Sequence, residues 1–333
     1  MVRILRIKKI SKMQIIKETS QRKAWIDALR AMAILMVLYG HHAGCATFSA
    51  FANPVKMPLF FALSGYLFKI KPGGDLTFFK NLFSGIVVPW FFLGVLPIAL
   101  SFPINGMEHA ISSLIRVLTG KELWFMPCFM VSETIFYYLL KWSKGKTTLL
   151  MSFCIIASLL GHVLKYNKIF DFFLVNIAFT VQMYFMFGYV FRKYESLIKP
   201  KAAKVGIVLI IAYFLVGIVL FPLSRMDVHH AHYHFMPVGL FMSFVGLSAL
   251  FMLAPRLSSY PKWISIVGRN TLVIYMLERY AIMPAELLFD FHHNPYWMIS
   301  LATLLFMVWA CMVSIAISWV LHRYAPWVTG GRH

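Results

Sequence analysis

Two polar side chains, Arg30 and His41, lie eleven residues apart at the start of the first long apolar run of the chain. In an α-helix, which rises about 1.5 Å per residue, this spacing places both on one face, about 16 Å apart along the axis. A guanidinium can hold a phosphate by charge-assisted hydrogen bonds, and an imidazole can accept a proton from a hydroxyl near neutral pH. The pair predicts a site for a phosphate-bearing cosubstrate whose long arm ends at His41. The alternative is that Arg30 only anchors the helix end and His41 bonds to a neighbouring helix.

The elements that must position this pair are long apolar helices. Of 333 residues, 60% are hydrophobic and 13% charged, whereas soluble proteins are about 45–50% apolar and about 25% charged. The apolar runs have bilayer-spanning length and are apolar on all faces, which argues against a soluble all-α protein. We predict an all-α polytopic membrane protein with about ten transmembrane helices, near residues 29–46, 57–70, 83–101, 123–140, 147–164, 171–191, 205–223, 235–254, 264–282 and 296–321.

The charge pattern predicts the orientation of these helices. The 32 lysines and arginines lie mainly at the ends of the apolar runs, and most fall on the inner side when the N-terminus is inside. Both termini are therefore expected in the cytoplasm, and the net charge of +20 needs no nucleic-acid partner. We predict a basic cytoplasmic tail (1–28), one transmembrane domain (29–322) and a short cytoplasmic C-terminal tail (323–333). Arg30 would mark the inner boundary, with His41 past mid-depth toward the outside.

Four sequence blocks resemble signatures of the acyltransferase-3 family of integral membrane acyltransferases. The family's first helix carries an Arg, ten residues and a His, as here at Arg30 and His41. The other blocks are residues 57–67 (MPLFFALSGYL), 123–127 (LWFMP) and 268–275 (GRNTLVIY). Together they cover most of the chain, and they look closest to the fucose O-acetylase-like branch.

The resemblance implies a membrane-bound O-acyltransferase in a bacterial cytoplasmic (inner) membrane. Such an enzyme moves an acetyl or other short acyl group from acyl-CoA to a hydroxyl of a cell-surface or lipid-linked carbohydrate. The resemblance assigns the essential roles to Arg30 and His41, with His41 as the general base. Acyl-CoA would be a donor substrate, and neither a tightly bound cofactor nor a metal is expected.

Three departures from the family pattern concern charged residues. Members often carry an arginine-rich pair after the second helix, where this chain has only Lys69, Lys71 and Lys80, so these lysines are the candidates for the CoA phosphates. Lys56 stands where a His often precedes the second block. Glu278 stands where some members end the last block with His.

Further polar residues could support the pair. Glu133 lies near mid-depth on the fourth predicted helix and could orient His41 through its second ring nitrogen, as a triad carboxylate does, or it could pair with another buried polar group. Asp27 could pair with Arg30 or cap the first helix. The histidines at 229, 230, 232 and 234 lack the spacing of a metal site, and we interpret them as part of a solvated loop.

Two competing classes remain open at this point. A transporter or flippase could line its pathway with the same polar pair, although we see no clear inverted repeat or broken mid-membrane helix in the sequence. A non-catalytic membrane scaffold would tolerate replacement of Arg30 and His41.

Overall fold

The computed structural model describes residues 24–41, 46–198, 201–221, 223–257, 259–289 and 294–329. The described residues form thirteen α-helices, which in chain order are α1 Ala24–His41, α2 Ala46–Leu67, α3 Gly74–Leu82, α4 Val88–Leu118, α5 Phe125–Trp142, α6 Thr147–Tyr166, α7 Val175–Thr180, α8 Gln182–Ile198, α9 Ala202–Val219, α10 Met236–Leu253, α11 Lys262–Arg269, α12 Thr271–Leu288 and α13 Tyr296–Tyr324. A π-helical turn, Phe83–Val87, joins α3 to α4. Two short antiparallel strands, β1 Met226–Asp227 and β2 His232–Tyr233, form a hairpin between α9 and α10.

Each of the ten predicted segments overlaps a helix of the structure, but some bounds move. Helix α1 already includes Ala24, because Trp25 and Ile26 pack into the core at 3% and 6% exposure. The predicted boundary between tail and membrane domain at residue 28 therefore falls inside a helix. His41 ends the described part of α1, and residues 42–45 of the predicted span lie outside the described residues.

Helix α2 is longer than predicted. The segment before residue 57, which contains Asn53 and Lys56, is helical although Pro54 and Pro58 lie within it. Each proline removes a backbone hydrogen bond from a helix interior, yet the helix continues through both. The extension makes Lys56 a residue of the helix bundle rather than of an outer loop.

The described chain contains six helical segments that are long and apolar enough to cross a membrane: Ala24–His41, Gly74–Ala99, Thr147–Tyr166, Ala202–Val219, Met236–Arg256 and Tyr296–Tyr324. A seventh forms if Phe172–Thr180 and Gln182–Ile198, which are bent by 49° relative to each other, count as one span. The protein is thus a multi-pass, almost entirely helical membrane protein.

Helix α9 shows how the bundle meets the lipid. Its buried residues are Ala202, Gly206, Tyr213 and Gly217, which fall on one face at helical spacing. A Cβ at Gly217 would lie 2.3 Å from the ring of Phe51 on α2, so this face packs closely. The opposite face leaves aliphatic and aromatic side chains exposed, as expected of a helix whose solvent is hydrocarbon.

Helices α2 and α8 cross at a pair of glycines. A Cβ on Gly65 would lie 1.9 Å from the carbonyl oxygen of Phe185, and one on Gly188 would lie 1.8 Å from that of Ala62. Only glycine, which has no Cβ, permits two backbones to approach this closely, and such glycine contacts are common between membrane helices. This crossing holds the second block of the sequence against the centre of the bundle.

The N-terminal end of α1, called the inner end after the predicted topology, packs against α11 in the same way, and the opposite end, at His41, is called the outer end. A Cβ on Gly268 would lie 1.9 Å from the carbonyl oxygen of Asp27. Helix α12 follows α11 after one residue, Asn270. The α11–α12 unit therefore lies beside α1, and it brings side chains to both ends of that helix.

Candidate active site

Helix α1 carries both residues of the predicted pair. Arg30 lies in its first half and His41 at the end of its described part, so one rigid element sets the separation between them. The side chain of Arg30 is 35% exposed and that of His41 is 44% exposed. Both groups are therefore accessible to a bound molecule, and the helical register predicted from their spacing is confirmed.

At the outer end of α1, His41 meets a carboxylate. Its Nδ1 lies 2.6 Å from Oε1 of Glu278 on α12, and the Glu278 side chain is only 9% exposed. A carboxylate oxygen can only accept, so Nδ1 carries the proton and donates it. In the tautomer with this proton on Nδ1, Nε2 is the basic nitrogen, which is the atom that a general base uses.

The second carboxylate oxygen of Glu278 is buried. Oε2 has no hydrogen-bond partner among the described residues. A buried, incompletely paired carboxylate is costly in a protein interior, and such groups are more common at functional sites than elsewhere. The His41–Glu278 pair is therefore the strongest indication of chemistry in the described chain.

Sequence reasoning named a different acid for this role. It named Glu133 as a carboxylate that could orient His41 or pair with another buried polar group, and the structure places Glu133 half-buried on α5. The structure shows Glu278 at Nδ1 of His41, and the role of Glu133 stays a prediction. The signal that could have identified Glu278 was its place at the end of the 268–275 block, three residues after Tyr275.

The inner end of α1 has its own charge cluster. The buried carboxylate of Asp27 lies 3.2 Å from Nε of Arg269 and 3.9 Å from Nη1 of Arg30. The predicted pairing of Asp27 with Arg30 is confirmed, while Arg269 is a partner that sequence reasoning did not assign. Two guanidinium groups at the inner end of α1 thus share one carboxylate.

The predicted phosphate-binding lysines lie near this end. Lys69 and Lys71 are exposed in the segment that follows α2, and Lys80 is exposed in the last turn of α3. Tyr66, just before that segment, packs its ring 5.2 Å from Trp25 of α1. The segment therefore starts beside the inner end of α1, and the side chains of its lysines are exposed.

The four blocks quoted above converge in space. The ring of Phe125 lies 5.4 Å from that of Phe61 and 5.6 Å from that of Tyr275, and its backbone N–H donates to the Tyr275 hydroxyl at 3.2 Å. The second, third and fourth blocks thereby meet in one core. The first block joins them through the contacts of Asp27 and His41 with α11 and α12.

The histidine-rich loop covers part of this core. The ring of His229 stacks on that of Trp124 with centroids 4.4 Å apart. Asp227 accepts hydrogen bonds from the backbone N–H of His229 at 2.9 Å and from Nδ1 of His230 at 2.8 Å. Burial lowers the pKa of His229 to about 4, with the neighbouring His230 as a further cause. The prediction of a solvated loop was therefore wrong for His229, which packs as a neutral ring.

Ion pairs also lie next to the middle of α12, beside Glu278. Glu122 accepts from Arg116 Nε at 3.0 Å and from Arg279 Nη1 at 2.9 Å. Arg279 follows Glu278 directly, and its side chain is 75% exposed. Within the described residues, no group of three or more His, Cys, Asp or Glu side chains could hold a metal ion.

The chain was compared with known proteins. No curated protein and no solved structure matches it. The family model described as an acyltransferase domain, that of the acyltransferase-3 family, matches residues 23–323. This range contains α1 to α13 almost completely and both members of the His41–Glu278 pair. The chain belongs to the acyltransferase-3 family of membrane acyltransferases.

Proposed function

We propose that the protein transfers an acetyl or other short acyl group from acyl-CoA to a hydroxyl of a cell-surface or lipid-linked carbohydrate. The observation that carries the proposal is the contact of 2.6 Å between His41 Nδ1 and the buried Glu278. Within an acyltransferase family, such a pair is the arrangement that activates a hydroxyl. The fucose O-acetylase-like motifs favour a sugar as the acceptor.

The reaction would use His41 as general base. Nε2 takes the proton of the acceptor hydroxyl while the oxygen attacks the thioester carbonyl carbon. The positive charge that develops on the imidazole is stabilised by the carboxylate of Glu278, as in catalytic triads. When the carbon–sulfur bond breaks, the departing thiolate takes the proton from the imidazolium, and the free thiol of CoA leaves.

The donor would bind from the cytoplasmic side. Arg30 would hold a phosphate of CoA by charge-assisted hydrogen bonds, and the exposed lysines Lys69, Lys71 and Lys80 would add positive charge around the entrance. About 16 Å of helix separates the levels of Arg30 and His41, a distance that the extended pantetheine arm can bridge. CoA would be a substrate that enters and leaves, not a resident cofactor.

The acceptor would approach the outer end of α1. The guanidinium and carboxylate groups of Arg116, Glu122 and Arg279 offer several hydrogen bonds beside Glu278, and sugars are bound through hydroxyl hydrogen bonds of this kind. Glu133 would be a second carboxylate of the site. This division places the donor and acceptor entrances at opposite ends of α1.

The proposed topology is ten spans with both termini in the cytoplasm, in the inner membrane of a bacterium. The excess of lysine and arginine at the inner ends of the helices supports this orientation. Further helices, such as α2 with 22 residues and α12 with 18, would supply the remaining spans.

The proposal is tested with membranes that carry the wild-type protein or the His41→Ala variant at equal protein levels. Radiolabelled acetyl-CoA is supplied, and label is followed into extracted glycan. We expect label with the wild type and a loss of about 10²–10⁴-fold with the variant, the usual contribution of a general base. Equal incorporation by both proteins would contradict the proposal. Movement of an unmodified substrate across the membrane without acyl transfer would identify a transporter instead.

A further inference from the structure

One buried cation lies next to the candidate active site. Lys56 of α2 is partly buried, and a Cβ added to Gly40 would lie 3.0 Å from its Nζ. Gly40 directly precedes His41 on α1. The absence of a side chain at residue 40 therefore lets the ammonium rest against the backbone beside the catalytic imidazole.

The charges around Lys56 come from two other elements. Its ammonium interacts electrostatically with Asp227 in the outer hairpin and with Glu278 on α12, the partner of His41. Burial acts against the charged form of the ammonium, and these two carboxylates act in its favour. Lys56 thus places an amine beside Gly40 in the surroundings of the His41–Glu278 pair.

The proposed transfer creates a negative charge at this place. When the acceptor oxygen adds to the thioester carbon, the carbonyl oxygen becomes an oxyanion, and it returns to a carbonyl when the thiolate leaves. Preorganised donors aimed at such an oxygen are often the largest single contribution to catalysis. The reaction therefore needs a donor close to His41 that is not His41 itself.

We propose that Lys56 is the catalytic residue that stabilises this oxyanion, an inference that rests on the proposed function. The ammonium donates a hydrogen bond to the developing oxyanion and keeps its proton throughout, so the proton balance between acceptor, His41 and thiolate is unchanged. Gly40 serves the same purpose by leaving room for Nζ.

The main competing role for Lys56 is recognition of an acidic sugar. An anionic acceptor group bound permanently at Nζ would face Asp227 and Glu278, and like charges at close range disfavour such a complex. The same carboxylates also repel the oxyanion, which exists only during the transfer, so the charges alone do not separate the two roles. The kinetics do: loss of a contact to an acidic sugar raises the KM of the acceptor, whereas loss of an oxyanion donor lowers kcat.

The experiment measures kcat and KM for acetyl-CoA and for glycan acceptor with the wild type, Lys56→Met and Lys56→Arg. The control is Lys165→Met, which removes a lysine that pairs with Asp171 at 3.2 Å. For Lys56→Met we expect kcat to fall about 10²–10³-fold while both KM values stay within about threefold. Lys56→Arg, which keeps the charge but moves the donors, should retain more activity, and Lys165→Met should behave as wild type.

Several outcomes overturn the inference. An unchanged kcat in Lys56→Met removes the oxyanion role, and a raised acceptor KM with normal kcat assigns Lys56 to an acidic sugar. If Lys56→Met does not fold, as judged by its thermal unfolding in detergent, Lys56→Gln, which removes the charge but keeps a polar head group, decides: a folded variant with wild-type kcat rejects the role, and a lowered kcat with normal KM supports it. A wild-type protein that transfers no acetyl group rejects the proposed function itself, and this inference with it.

Discussion

The two ends of α1 carry opposite arrangements of charge. At the inner end the acid, Asp27, belongs to α1, and it is shared by two guanidinium groups whose side chains are 35% and 72% exposed, Arg30 and Arg269. At the outer end the base, His41, belongs to α1, and a single acid on α12, Glu278, is buried behind it. Both ends are held by the same α11–α12 unit.

The difference shows how one helix can serve two purposes. The inner cluster has more cations than anions and faces the surroundings, which suits the binding of a phosphate without chemistry on it. At the outer end the carboxylate is buried behind the imidazole. It would orient the ring and stabilise the positive charge that the ring gains when it takes up a proton. We therefore expect changes at the outer end to lower kcat and changes at the inner end to raise the KM of the donor or to weaken the fold.

The largest effect is expected at the outer end. Glu278→Gln keeps a hydrogen-bonding group beside His41 but removes the negative charge, so kcat should fall about 10²–10³-fold with little change in KM. The control is Glu108→Gln, an exposed acid of α4. A double variant with His41→Ala should be no worse than His41→Ala alone, because the two residues act as a unit. Additive losses would show that Glu278 acts independently of His41.

The next effect is on the contact between α1 and α11. In Gly268→Ala, the new Cβ would meet the Asp27 carbonyl oxygen at 1.9 Å, so the helices must separate. We expect a loss of about 1–3 kcal/mol in the free energy of unfolding, measured by thermal unfolding in detergent. Gly94→Ala is the matched control, because its Cβ would meet only side-chain methyl groups, those of Val117 at 3.2 Å and of Leu123 at 3.5 Å, and no backbone atom. Equal stability of both variants would mean that the contact is not tight.

A smaller effect should distinguish the function of the inner end of α1 from that of the outer end. Arg30→Lys keeps the charge but loses the planar guanidinium, which is not a conservative change at a phosphate site. We expect the KM for acetyl-CoA to rise about tenfold, equivalent to about 1.4 kcal/mol, with kcat almost unchanged. A variant whose kcat fell while its KM held would place Arg30 in the chemical step and remove the division between the two ends.

The smallest effect concerns the loop that packs over Trp124. The pKa of His229 is lowered to about 4 from its ordinary value of 6.5, chiefly by burial. The unfolded chain therefore takes up a proton at this residue before the folded chain does, so the stability it contributes is complete above about pH 6.5 and declines as the pH falls toward about 4. In His229→Gln, the melting temperature should drop less between pH 7 and pH 5 than in the wild type. An identical drop in both proteins would show that His229 is not buried.

Several features were predictable because they depend on local sequence. The spacing of Arg30 and His41 determines their common helix, since the helical repeat is the same in every protein. The apolar runs determine an all-helical membrane fold, because lipid leaves no other way to satisfy the backbone of a single segment. The four blocks were sufficient to indicate the family that the match over residues 23–323 confirms.

Pairings between helices were beyond the reach of sequence reasoning. Nothing near His41 in the chain indicates that Glu278, far along the sequence, will hold its ring, and Glu133 was an equally good choice by depth alone. Lys56 was predicted to lie just before the second helix, at residues 57–70, whereas α2 begins at Ala46. Only packing, through glycines that bring α1 against α11 and α2 against α8, decides which side chains meet. The sequence thus determined the helical membrane class, the family and the candidate base His41, whereas the tertiary structure decided which carboxylate and which lysine lie beside it.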